Sequence, residues 1–269
     1  MAELDTSKIA VCVSGLSSMV PDYKLIREIQ AKVFPYDTFF LEWNGYPKAD
    51  VPNVKYVDEP TWEYHVLAGT TNPPKCAVLH RYIKPGGKIW RNNKHGPRLA
   101  LTSYRGGNQI IAHAHLIDSL DPKYTTIIRI RWDTVVSTRA DYTPYLKMAQ
   151  EGTVVGFDAS NGKLNHGANP TMYHHTPPKV VSIDTSKPNL CSHGCERCQA
   201  RIWDQLIFHP RWRFKNAFEM KQQKKLVGAE WGWWQILAEQ WGENNFINVV
   251  GGECLAKWNI APKEEWPNL

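Results

Sequence analysis

Apolar positions along the chain alternate between two spacings. Lys8-Ile-Ala-Val-Cys-Val-Ser14 is a short apolar run that ends at Ser14-Gly15, the form of a buried strand running into a turn. From Pro21-Asp22 the spacing becomes helical, with Leu25, Ile26, Ile29 and Val33 on one face and Pro35 closing the segment. Asp37-Thr-Phe-Phe-Leu-Glu-Trp43 reads as a strand again, and Val54-Lys-Tyr-Val57 as a weaker one. Strand, helix and strand within about 35 residues make a βαβ unit, which predicts parallel strands joined by a right-handed crossover.

Further along, 108–120 is predicted to be a helix, with Ile110, Ile111, Ala114, Ile117 and Leu120 on one face. Tyr124-Thr-Thr-Ile-Ile-Arg-Ile-Arg-Trp-Asp133 then alternates. Ile128, Ile130 and Trp132 fall on one side of a strand and Arg129, Arg131 and Asp133 on the other, because side chains change face at every residue. The polar side runs toward the strand's carboxyl end, where open α/β sheets bind ligands; a plain salt-bridged strand end is the alternative. Gly152-Thr-Val-Val-Gly-Phe-Asp158, Val180-Val-Ser-Ile183 and Phe246-Ile-Asn-Val-Val250 read as later strands. The amphipathic stretch 200–209 carries Asp204 and Gln205 among large apolar residues, where a carboxylate is costly unless paired or employed. A basic helical surface (212–225) and a tryptophan-dense helix (229–241, with Glu230) follow; Trp231, Trp233 and Trp234 suit a core as well as a stacking platform.

Composition narrows this picture. The 269 residues suffice for a full core, and 42% hydrophobic with 22% charged residues is the balance of a globular protein. There is no run of 18 apolar residues and no basic-then-apolar start, so the expectation is a chain without a membrane span, located in the cytoplasm. The net charge of +6 is concentrated: no acidic residue lies between Glu63 and Asp118, while Lys75, Arg81, Lys84, Lys88, Arg91, Lys94, Arg98 and Arg105 do. Much of this basic segment (65–117) is a Pro/Gly/Asn-rich flap, 69–107, expected to be partly ordered by its aromatic members. A diphosphate, an acidic glycan or a nucleic acid would each suit such charge.

Cys191, Cys195 and Cys198 have the spacing of a radical S-adenosylmethionine cluster loop, but too little chain follows for a barrel. A zinc knuckle completed by His193 or His209 is the better metal reading, and three free thiols the favoured one. His113 and His115, two apart on a helix, point about 200° away from each other and are read as ordinary surface or core residues.

The ordered set of the first strand, the Phe39–Trp43 strand, the helix around Gln109, Ile127-Ile-Arg-Ile-Arg-Trp-Asp133, Trp203-Asp-Gln205 and the Glu230 helix resembles the GT-A-fold glycosyltransferases, in particular a branch found in large viruses, phages and bacterial surface-polysaccharide clusters. The resemblance implies a GT-A-like (Rossmann-like) α/β fold: one domain over 1–269, with a mixed, mainly parallel central sheet flanked by helices. Residues 1–133 would form the nucleotide-sugar half and 134–269 the acceptor half. It implies a nucleotide-sugar donor, UDP-linked, near Ser14, Gly15, Trp43, Gln109, Arg129 and Arg131. It places a metal, Mn²⁺ or Mg²⁺, at Asp133, with Arg131 standing where the first acidic residue of an Asp-x-Asp motif would be. Asp204 matches the position of the carboxylate that deprotonates an acceptor, on a helix after the second half-sheet, with Glu230 as competitor.

The acceptor under this reading is a glycan hydroxyl or, given the basic segment and the aromatics, a hydroxylated base in viral or phage DNA; for a viral protein the location would be the host cytoplasm. The competing class is a non-enzymatic nucleic-acid-binding module with a Cys-bound zinc. It leaves the βαβ start and Arg131-Trp132-Asp133 unexplained.

Overall fold

A computed structural model describes residues 3–59, 109–158, 179–182, 205–211, 245–250 and 255–257. Within them the order is β1 (Ile9–Ser14), α1 (Tyr23–Val33), β2 (Asp37–Trp43), β3 (Val54–Val57), α2 (109–118), β4 (Thr126–Arg131), β5 (Thr134–Val136), α3 (Thr143–Gln150), β6 (Val154–Asp158), β7 (Lys179–Ser182), β8 (Leu206–Pro210), β9 (Phe246–Val250) and β10 (Leu255–Lys257). Eight strands form one sheet in the order β3-β2-β1-β4-β8-β6-β9-β7, and β5 pairs with β10 in a separate ribbon.

The predicted βαβ start is present: β1 pairs in parallel with β2, and also with β4 on its other side. β8 runs against both β4 and β6, and β7 against β9, while the remaining strands share one direction. The layout expected from the sequence, a mixed and mainly parallel sheet with helices on its faces, is therefore the one observed. Among the described residues no helix is long and apolar enough to cross a membrane.

Both faces of the sheet are covered. Ile9, Val11 and Val13 of β1 and Ile128 and Ile130 of β4 pack with Ile26 and Ile29 of α1 and Leu146 and Ala149 of α3. Their alternate neighbours Ala10, Cys12 and Ile127 pack with Ile110, Ala114 and Ile117 of α2. This burial on two sides explains why β1 reads as an unbroken apolar run rather than an alternating one. The carboxyl end of α2 is closed by Arg211, which follows β8. Its Nη1 donates to Asp121 O at 2.6 Å and its Nη2 to Ile117 O at 3.1 Å and Leu120 O at 2.8 Å, satisfying carbonyls the helix leaves open.

Two expectations change. The polar side of the 124–133 strand is not open along its length: Arg129 is fully buried beneath α2, and only the end of the strand meets the crevice. The stretch containing Asp204, placed on a helix by the resemblance, is a strand from Leu206 onward, with Leu206 and Phe208 in one core and Ile207 in the other.

Candidate functional site

The carboxyl ends of β1, β2 and β4 open on one side of the sheet into a cavity of about 250 Å³. Its wall includes Ser14, Gly15, Trp43, Gln109, Arg131 and Asp133, from four separate segments of the chain. Ser14 and Arg131 are register partners at the ends of β1 and β4. Gly15 turns the chain away from the sheet with φ of 133°, a conformation that a side chain would strain, and a Cβ there would stand 3.5 Å from Trp132. Of the donor residues expected from the sequence, Arg129 is set back from the wall. It donates from Nη2 to Gln109 Oε1 at 3.1 Å and so supports the first residue of α2 from below.

Arg131 and Asp133 face each other. Nε donates to Oδ1 and Nη2 to Oδ2, both at 2.7 Å, a fork-to-fork ion pair across the turn that joins β4 to β5. That turn is held from α1: Gln30 Nε2 donates to Arg131 O at 2.9 Å and to Thr134 O at 2.6 Å, and Arg27 Nη1 in turn donates to Gln30 Oε1. Trp132, between the ion-paired residues, stacks on Phe40 at 5.3 Å and meets Tyr23 edge-on at 5.7 Å. The Arg27 guanidinium lies 5.0 Å over the other ring, Phe40, and burial lowers its pKa to about 10.

The two loops beside the cavity are tied by a residue that sequence reasoning missed. Glu42, 1% exposed near the end of β2, accepts Ser17 N at 2.6 Å and Ala49 N at 3.2 Å, joining the loop after β1 to the loop after β2. Its signal in the sequence was a carboxylate between Leu41 and Trp43 in an otherwise apolar strand end. Gln30 had a comparable signal, one helical turn after Ile26 on the apolar face of α1.

Several buried polar atoms here have no hydrogen-bond partner: Ser14 Oγ, Trp132 Nε1 and both side-chain atoms of Gln205. Ser14 and Trp132 line the cavity, and the backbone carbonyl of Gln205 accepts Arg131 N at 3.2 Å at the same end of the sheet. Leaving such a group unpaired costs about 1–3 kcal/mol, which a bound ligand with matching groups would offset. A slightly larger cavity, about 300 Å³, lies at the opposite end of the sheet around Asp5, Lys8, Thr125 and Gln150. There Asp5 pairs with Lys8 at 3.0 Å, and Gln150 both donates to Asp5 O and accepts Asp5 N, while Glu3, Lys147 and Glu151 complete the wall. Of these two cavities, the one at the carboxyl ends is lined by residues with buried, unpartnered polar atoms, Ser14 and Trp132.

Beneath α2 lies a second buried polar group. His113 and His209 meet Nε2 to Nε2 at 2.9 Å. His209 Nδ1 donates to Pro210 O at 3.4 Å, which makes its Nε2 the acceptor and the His113 Nε2–H the donor when both rings are neutral. Burial pushes the His209 pKa down to about 3, against the Pro210 carbonyl and with the help of the Arg129 charge. His113 is held well below the usual histidine value by burial, then by His209 and Arg129. His113 is thus a core histidine, as one of the two sequence readings had it.

Divalent cations such as Mn²⁺ or Mg²⁺ need several oxygen ligands at about 2.0–2.6 Å. Both Asp133 oxygens accept from Arg131, and among the described residues no group of three or more His, Cys, Asp or Glu side chains could hold a metal. These residues do not fit a metal centre at Asp133. Asp204, Glu230, the flap 69–107, Cys191, Cys195, Cys198 and Trp231, Trp233 and Trp234 lie outside the described residues.

No protein-family model and no curated protein matches the chain. Among solved structures, core-mannan synthase A from Aspergillus fumigatus in a Mn/GDP form is similar at 10% identity, over 89% of this chain and 72% of that one, with a TM-score of 0.43. The mannosyltransferase Ktr4p from S. cerevisiae is similar at 9% identity, over 97% and 79%, with a TM-score of 0.44. A mannose-1-phosphate geranyltransferase from Thermus thermophilus is similar at 10% identity, over 93% and 76%, with a TM-score of 0.38. Likenesses this distant assign no activity to the chain.

Proposed function

We propose that the chain is a glycosyltransferase that moves a sugar from a nucleotide-sugar donor to a hydroxyl acceptor. The observation that supports this most is the convergence of Ser14, Gly15, Trp43, Gln109, Arg131 and Asp133 on one cavity at the carboxyl ends of parallel strands. The unpartnered Ser14 hydroxyl and Trp132 indole N–H suit a ligand rich in hydroxyl and carbonyl groups, as a nucleoside and a sugar both are. Trp43 and Tyr46 add aromatic surface to the same wall.

In this reading the donor is UDP-linked and carries a hexose or pentose. Its nucleoside lies along Ser14 and Gly15, and its diphosphate against Arg131. Asp204, one residue before the buried Gln205 and just ahead of the start of β8 in sequence, is the first choice for the base that takes the acceptor proton, and Glu230 the second. The acceptor is a glycan hydroxyl; the basic segment that motivated a DNA acceptor lies mostly outside the described residues, and nothing within them favours DNA.

A thermal-shift screen against a panel of nucleotide sugars tests the proposal, since a ligand that binds only the folded chain raises its melting temperature by mass action. One donor class should stand out, by several degrees at saturating concentration, and Asp204→Asn should abolish transfer while keeping that shift. A panel without any shift would remove the reading.

A further inference from the structure

Among the described residues two large apolar side chains stand exposed, Met19 at 57% and Tyr46 at 38%, and both belong to the wall of the cavity at the carboxyl ends of the strands. They come from different segments, Met19 from the loop after β1 and Tyr46 from the loop after β2. Single apolar residues are scattered over any folded surface; two from separate loops on one cavity mark a place where an apolar group docks. Both loops are anchored. The Glu42 carboxylate accepts Ser17 N and Ala49 N, which fixes one loop relative to the other. The Tyr46 hydroxyl donates to Glu59 Oε2 at 2.8 Å, and Asn44 donates from N to Val57 O and from Nδ2 to Asp58 Oδ1, each also at 2.8 Å. A ring displayed on an anchored turn loses little freedom when a ligand stacks on it. The unbranched, polarisable thioether of Met19 adapts to the face of a flat ring.

We propose that Met19 and Tyr46 form the seat of the donor's nucleobase. This rests on the nucleotide-sugar reading above and adds to it which part of the donor the two loops hold. A nucleotide sugar has one flat, aromatic part, the base, whereas its ribose, diphosphate and sugar are rich in hydroxyls or charge. The base has an apolar face on each side to bury, which matches a thioether from one loop and a phenol ring from the other. The hydroxyl-rich remainder of the donor suits the rest of the wall, where Ser14 brings a hydroxyl and Gln109 an amide. Placement fits as well. A nucleoside lying along Ser14 and Gly15 meets Met19 within the same loop, and in the strand order β3-β2-β1-β4 Tyr46 follows the neighbouring strand on the side away from β4.

Titration calorimetry of the full chain with UDP, dTDP, GDP, ADP and CDP, each beside its glucose conjugate, tests the seat. For the pair that binds the wild type most tightly, Tyr46→Ser should weaken the bare diphosphate and the conjugate by the same factor, about tenfold or more, the scale of one base stacked on one aromatic ring. Tyr46→Phe keeps the ring and should stay within about threefold of the wild type, while Met19→Ser should cost both members about fivefold. In the wild type, the Met19 methyl resonance, identified by its loss in Met19→Ser, should move upfield when the bare diphosphate is added, because a base ring then lies over it. That measurement does not depend on how the Tyr46 variants fold. A loss confined to the glucose conjugate would give the seat to the sugar; that result, unchanged affinities, or a Met19 signal that stays in place would overturn the inference and leave the donor reading standing. A panel in which neither the diphosphates nor the conjugates bind would overturn both.

Discussion

Glu42 and Gln205 are both about 1% exposed, yet they predict opposite outcomes. The Glu42 carboxylate faces two backbone amides, Ser17 N and Ala49 N, and so holds the loops on either side of the cavity. Glu42→Gln turns one acceptor into a donor that points at an N–H, so it should destabilise the fold by about 1–3 kcal/mol in urea unfolding and weaken ligand binding at the cavity. Unchanged stability would mean that the loops are held by something else. Gln205 carries an amide with no partner at all. Gln205→Leu keeps the volume and removes the unpaired groups, so unfolding should show a gain of up to about 1 kcal/mol. Lower stability would show that the amide has a structural partner. Arg129 and Arg131 make a related contrast, being indistinguishable in the alternating sequence. Two residues of strand, about 7 Å, separate a guanidinium buried under α2 from one at the cavity wall.

The packing of α2 against β8 places a titratable pair in this core, His113 on the helix and His209 on the strand. Both are neutral in the folded chain, with pKa values below the ordinary one, and both would titrate near 6.5 once unfolded. The unfolded state therefore binds more protons below pH ~6.5. The stability associated with this pair is fully present above that pH and is lost as pH falls toward the folded-state values, at up to about 1.4 kcal/mol per pH unit for each ring. From pH 7 to 5 denaturant unfolding should record a loss of up to about 4 kcal/mol, and the double variant His113→Leu/His209→Leu should flatten that slope; parallel slopes would place the titration elsewhere. Elements of this kind were largely legible in the sequence. The periodic segments β1, α1, β2, β3, β4, β6, β7 and β9 and the α2 helix all stand where apolar spacing puts them. What escaped were elements too short or too weakly patterned for a period to register: β5 and β10 have three residues each, and α3 buries only Leu146 and Ala149. The cavity residues were legible through their order along the chain. The pairing of Arg131 with Asp133 was visible only as an alternative to a ligand site, because spacing shows that two charges share a face but not that they close on each other.

At the scale of the whole molecule, the boundary expected from the sequence between a nucleotide half, 1–133, and an acceptor half, 134–269, falls within a continuous sheet. β8, from the second half, lies between β4 of the first and β6 of the second, bonded antiparallel to both. One core cluster joins Ile9, Ile26 and Ile128 to Val155, Phe208 and Val249 across that boundary. Phe208 packs against Phe34 at 5.7 Å and Phe157 at 4.7 Å, one ring from each side. A fragment ending at residue 133 would expose the hydrogen-bonding edge of β4 and the apolar faces that β8 and α3 cover, at about 25 cal/mol for each Å² of apolar surface returned to water. The full chain is therefore expected to unfold in a single cooperative transition, and the fragments 1–133 and 134–269 to show none when separate. Circular dichroism and hydrogen exchange would check this: strong amide protection at Val11 and Ile128 in the isolated first fragment would show that residues 1–133 fold by themselves, and that β8 serves to hold the end of β4, through Gln205 O and Arg131 N, rather than to complete the sheet.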